Sequence, residues 1–163
     1  RNETPLTHTI AYTLRGLMKS QNAVDEPSRR KIFDLVQKAS EEIIRRHALD
    51  RPAGSFGRFL PGTLNDQWES ADTFSCLTGN AQFAILWLDL YKMTKNEKLR
   101  NAAYQLIDQV KSTQRLGLGD ENIYGGIAGS YPIWGRYVRF GFPNWAAKFF
   151  ADALMLKNSL QGS

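Results

Sequence analysis

An all-α fold of five helices, with no β-sheet required, is what this 163-residue sequence predicts. Three observations predict it. A helix-opening segment recurs: Pro5 to Leu17 aligns with Cys76 to Leu88, and Asn144 to Leu154 continues the series. Tyr12, Phe83 and Phe149 fall in register, as do Leu17, Leu88 and Leu154. A spacing of about 70 residues is one helical hairpin plus a long loop, and regular spacing marks a repeat architecture. Between the copies lie two segments with a single apolar stripe at helical period. Finally, the composition, 42% hydrophobic and 23% charged, is that of an ordinary globular chain.

The first helix is expected from about Pro5 to Gln21. The second follows Asp25-Glu26-Pro27, an acidic cap with a proline suited to the first turn. Its stripe is Ile32, Leu35, Val36, Ala39, Ile43 and Ile44. The third runs from about Leu77 to Met93. Asn96 then caps the fourth, whose stripe is Leu99, Ala102, Ala103, Leu106, Ile107 and Val110. The fifth runs from about Asn144 to Leu156. Helices two and four have charged backs, whereas one, three and five are apolar nearly all round, with Phe83 to Leu88 an unbroken apolar run. A helix apolar on every face is buried on every side, so the odd helices are expected inside and the even ones outside. Inner–outer hairpins laid side by side form a curved double layer, which closes into an α/α toroid or continues as a solenoid.

The connections at 51–75 and 115–143 are too long to be plain connectors. They carry Phe56, Phe59, Trp68, Tyr124, Tyr131, Trp134 and Tyr137, which argues for ordered loops. Val138-Arg139-Phe140 and Ile123-Tyr124 are the candidates for short extended pieces.

Length allows one domain, residues 1–163, with a sizeable core. No apolar run approaches the roughly 18 residues of a membrane span. The single cysteine, Cys76, rules out an internal disulfide and suits a reducing, cytoplasmic compartment. No targeting segment is read from the chain, and its start at Arg1 fits a piece of a longer protein. The net charge of +5 is concentrated at residues 29–58, where eight basic residues face four acidic ones. A nucleic-acid site would interleave aromatics with these cations, and this helix has only Phe33, among its core positions. A solvated outer face is the reading adopted, with no nucleic-acid partner.

Ser75-Cys76-Leu77-Thr78-Gly79-Asn80-Ala81-Gln82 followed by Leu90-Tyr91-Lys92-Met93-Thr94-Lys95-Asn96-Glu97-Lys98-Leu99 resembles α/α-toroid proteins found among bacterial polysaccharide-biosynthesis genes. Gly125-Gly126-Ile127-Ala128-Gly129-Ser130-Tyr131-Pro132-Ile133 and Asn144-Trp145-Ala146-Ala147-Lys148-Phe149-Phe150 extend the resemblance, which covers Pro5 to Leu156. Such proteins are similar in fold to terpenoid cyclases, protein prenyltransferases, lanthionine cyclases and six-hairpin carbohydrate enzymes. The resemblance implies a fold more firmly than a chemistry. A closed toroid needs more helices than five, so the chain looks like the C-terminal part of a larger one. Helix five is apolar on all sides and no outer helix follows it. Its open edge, with that of helix one, is expected to be covered by self-association or by the missing hairpins.

In toroids of this kind the N-terminal ends of the inner helices face a central cavity. Unpaired backbone N–H groups and the positive dipole end make that end suited to ligands. The repeats put His8, Gln82, Asn144, Trp145 and Lys148 there, and the loops add Asp66, Trp68, Glu69, Asp72, Tyr131 and Trp134. Asp66, Glu69 and Asp72 are the candidate catalytic acids, since glycosidic chemistry uses carboxylates for proton transfer. Capping the third helix or bonding the loop is the favoured alternative role for them. His8, Trp68, Gln82, Tyr131, Trp134, Asn144, Trp145 and Lys148 are the candidate substrate-binding residues, the aromatics as platforms for a sugar face or as core packing. Gly125, Gly126 and Gly129 read as turn residues.

Zinc is a weaker reading. Cys76, His8 and an aspartate are similar to the mixed ligand sets of prenyltransferases and lanthionine cyclases. But a catalytic zinc wants about three protein ligands, and the other histidine, His47, falls on the outer helix. No metal or cofactor is therefore expected. Cys76 suits a small buried residue at a helix start, and as a nucleophile only folding could bring it a partner such as His8. The expected partner is a saccharide or polysaccharide precursor, bound or acted on by a hydrolase, lyase or epimerase. A prenyltransferase- or cyclase-like enzyme and a non-catalytic scaffold or oligomerisation module are the alternatives.

Overall fold

A computed structural model describes residues 4–49, 59–117 and 121–161. Phe56, and with it Asp50, Arg51 and Arg58 of the basic segment, lies outside the described residues.

Five α-helices make up most of the described chain: α1 (Thr7–Ser20), α2 (Glu26–Arg46), α3 (Leu77–Thr94), α4 (Glu97–Ser112) and α5 (Asn144–Gln161). The caps are those the sequence names. Asp25 accepts from the Ser28 N–H at 3.0 Å, with Pro27 in the first turn of α2. Asn96 accepts from the Lys98 N–H at 3.1 Å. Lys95, in the left-handed region at φ 56°, separates α3 from α4 and so folds them into a tight hairpin. A 3-10 turn, Gln21–Ala23, connects α1 to α2.

α3 is the centre of the molecule. It packs on α1 at one side, α5 at the other and α4 behind, while α2 covers α1 and touches α4. From Leu77 to Leu88 every residue of α3 is buried, Leu86 and Trp87 included. The all-round apolar run is thus matched by neighbours on all sides.

The expectation that all three odd helices are more buried than the even ones is corrected. α1 buries only Thr7, Ala11 and Leu14, and α5 only Ala146, Phe150 and Ala153, whereas α4 buries seven residues and α2 five. α1 and α5 pack on α3 and meet each other where Tyr12 and Arg15 approach Phe149, which leaves much of each helix facing solvent. Trp145 (47% exposed) and Met155 (64%) show the consequence. In the α2 stripe, Leu35 is 52% exposed, and the α4 stripe is buried throughout.

The extended pieces also differ from expectation. Two short antiparallel strands, β1 (Ser75–Cys76) and β2 (Ser130–Tyr131), pair Ser75 with Tyr131 and Cys76 with Ser130. Ile123 closes a 3-10 turn, and Val138 and Phe140 have φ of 49° and 57°, so that segment turns instead of extending. The pairing ties one long connection to the other.

Candidate functional site

Both long connections gather at the end of the molecule where α1 and α3 begin. Leu6 bridges Thr63, the Thr7 N–H donates to the Gly62 carbonyl at 2.9 Å, and the Gly62 N–H donates to Phe74 at 2.8 Å. The Leu77 N–H donates to Gly129 at 3.1 Å, which brings the second connection to the start of α3. Underneath, Asn80 is buried and saturated: its oxygen accepts from the Leu60 N–H at 3.1 Å, and its amide donates at 2.8 Å to both the Ser75 hydroxyl and the Cys76 carbonyl. One polar side chain inside an apolar helix therefore holds the loop floor.

The helix starts converge on Cys76. Its sulfur is the N-cap of α3, accepting from the Gly79 N–H at 3.4 Å, and lies 3.9 Å from His8 Nδ1. α1 comes this close because residue 79 is glycine: a Cβ there would sit 2.8 Å from the His8 nitrogen. The His8 ring lies 4.5 Å from the Tyr137 ring, and Trp145, in the first turn of α5, donates its Nε1–H to the Tyr137 hydroxyl at 2.8 Å. His8, Cys76, Tyr137 and Trp145 thus bring together the first turns of three helices.

Electrostatics decide what this cluster can do. Burial pushes the Cys76 thiol up to about 12, outweighing the backbone N–H groups of Gly79, His8 and Thr78 that favour the thiolate. The thiol stays protonated near neutrality, so folding supplies the histidine but no activated nucleophile. Burial also lowers the pKa of His8, which favours a neutral imidazole. Tyr137 is raised by burial, against the opposing Trp145 hydrogen bond.

The other predicted residues fall into separate places. Tyr131 and Trp134 line one hollow of about 390 Å³ between Leu77 of α3, the end of α4 at Ser112–Arg115, and Phe142. The Tyr131 ring also lies 4.8 Å from Phe59. Trp68 and Glu69 line another, of about 580 Å³, with Arg45, Arg46, His47 and Ser70 at the end of α2. There His47 is 2.9 Å from the Trp68 carbonyl, and burial lowers its pKa against that hydrogen bond. Gln82 is 1% exposed inside α3, and among the described residues its Oε1 has no hydrogen-bond partner. Asn144 and Lys148 are exposed on α5, with Lys148 bonded to Asp152 at 2.5 Å.

Of the residues expected in a single cleft, Asp66, Trp68, Gln82, Tyr131, Trp134, Asn144 and Lys148, the described hollows bring Tyr131 and Trp134 together and put Trp68 in another, although the loops do share one end. The candidate acids are likewise dispersed. Asp72 accepts from the Thr63 hydroxyl at 2.6 Å and pairs with Arg136 at 3.1 Å, clipping the two connections together. Glu69 pairs with Arg46 at 2.6 Å. Asp66 is exposed on the turn that the Asn65 side chain organises by accepting from Gln67 and Glu69.

Sequence reasoning missed Tyr137 as a partner of His8 and Trp145, and Asn80 as the buried hub. Asn80 had a local signal, an amide in an apolar helix start. Tyr137 had none, because its partners are distant in sequence.

Among the described residues, no three His, Cys, Asp or Glu side chains gather as a metal-ligand set. None of the helices there is long and apolar enough to cross a membrane. No protein-family model, curated protein or solved structure matches the chain.

Proposed function

We propose that the chain is the saccharide-binding part of an α/α toroid, and that it binds a sugar without acting on it. The observation that carries the reading is the Tyr131–Trp134 hollow. Two aromatic rings, 49% and 61% exposed, stand in a concave site with polar neighbours. Apolar ring faces match the C–H face of a pyranose, and a few convergent polar groups orient it. Ser112 and Thr113 donate their hydroxyl protons to carbonyls of α4, at 2.8 Å or less, and keep oxygen lone pairs for sugar hydroxyls. Binding is favoured over turnover because Glu69 and Asp72 are committed to Arg46 and Arg136, and neither they nor Asp66 line this hollow.

The toroid half of the reading draws on repeat register. In that register Thr7, Ala11 and Leu14 correspond to Asn144, Lys148 and Ala151. The first set is buried in α1, which packs on α3, and the second is exposed on α5. α5 thus offers solvent the side that a further inner helix, from another copy or a longer chain, would cover.

Titrating tryptophan fluorescence with a panel of neutral oligosaccharides tests the binding reading. Saturable quenching is expected, with affinity reduced about tenfold in Trp134→Ala. Binding that is unaffected by Trp134→Ala and by Tyr131→Ala would refute it.

A further inference from the structure

We infer that the groove between α1 and α3, at the end away from the long connections, binds a small hydroxylated carboxylate, the chemistry shared by a hexuronate and an open-chain sugar acid. Arg15, Met18 and Lys19 of the later turns of α1 and Asn22 of the 3-10 turn that follows, spaced three and four residues apart, line one side of the groove. They meet Leu86 and Asp89 of α3 across a hollow of about 300 Å³. That is the lower end of the roughly 300–1,000 Å³ range of ligand pockets, a single-ring volume. The Arg15 guanidinium also lies 5.6 Å from the Phe149 ring of α5.

The charges here are assembled but not joined. Asp89 is half-buried and feels Lys92, Arg15 and Lys19, yet among the described residues it makes no ion pair with any of them. Among the described residues, the buried Arg15 Nε–H has no acceptor. A guanidinium and a partly desolvated carboxylate that line one hollow without pairing leave both charges for an external partner. One ligand class satisfies both. Its carboxylate accepts from the Arg15 fork and Lys19, and its hydroxyl groups donate to Asp89. Met18 and Leu86 take the C–H face. A simple carboxylate leaves Asp89 unpaired and repelled, and a neutral sugar leaves Arg15 unpaired.

The inference does not rest on the saccharide reading of the other end. Chemical-shift titration of the isotope-labelled chain with glucuronate, gluconate, glucose and acetate tests it. Saturable shifts of residues 15–22 and 86–92 are expected with glucuronate, gluconate or both, which identifies the ring or open-chain form. Glucose and acetate should bind at least about tenfold more weakly, the size of one lost charge-assisted contact. Arg15→Gln should weaken the acid at least as much. Asp89→Asn, which removes an unpaired charge and so spares the fold, should erase the preference over acetate. Trp134→Ala should leave these shifts unchanged, whatever becomes of binding at the other end. No saturation by either acid would overturn the inference, as would equal binding of acetate or an unaltered affinity in the Arg15 and Asp89 variants.

Discussion

Replacing Cys76 separates a structural thiol from a reactive one. The sulfur caps α3 and is buried where α1 and α3 begin, 3.9 Å from His8. Cys76→Ala removes the cap, at a cost of about 1 kcal/mol. It also removes buried apolar volume comparable to a methylene, about 0.8 kcal/mol more. Together these lower the melting temperature by roughly 4–8 °C in a chain of this size. Cys76→Ser keeps a capping oxygen and should stay within about 1 kcal/mol of the parent. The thiol is pushed from an ordinary value of 9.0 up to about 12. Near neutrality the thiol stays protonated in the folded chain. A chromogenic disulfide reagent should therefore react slowly with the native protein and rapidly in denaturant. The sign of the pH effect follows: the unfolded thiol ionises first, so stability falls as pH rises through about 9 toward the folded value. Thermal melts followed by circular dichroism, with reagent kinetics, measure all of this. If the alanine variant melts with the parent, or the native thiol reacts as fast as the denatured one, the capping argument fails.

Asn80→Ala should be far more costly, about 3 kcal/mol, because it strips partners from the buried Leu60 N–H and the Ser75 hydroxyl at once. A melting temperature within 2 °C of the parent, against the roughly 6–12 °C drop expected, would show the floor to be held by other contacts. Acidification should destabilise the fold. Burial depresses both His8 and His47, so the stability they contribute is present above about 6.5 and is lost as pH falls from there through their lower folded values. Urea midpoints at pH 7 and pH 5 check this, and His8→Gln should flatten the difference.

Helix identity, helix starts and the central place of the third helix were legible in the sequence because each depends on local chemistry. Asp25 and Asn96 cap the helices that follow them, whatever surrounds them. The run from Phe83 to Leu88 leaves no face for water, so α3 had to be interior. How far α1 and α5 are buried was not legible, since apolar character records what a helix can bury and only its neighbours decide what it does bury. The site depended on the same kind of information. The sequence put Asp66, Glu69 and Asp72 in one loop, but whether a carboxylate faces a hollow or an arginine turns on side-chain direction. Arg46 reaches Glu69 and Arg136 reaches Asp72 from distant segments. His8, Cys76, Tyr137 and Trp145 meet only because α1, α3 and α5 start at one end, and Arg15 meets Asp89 only because α1 lies against α3. Contacts between residues so far apart carry no local signature. They are set by helix packing, which the tertiary structure alone decides.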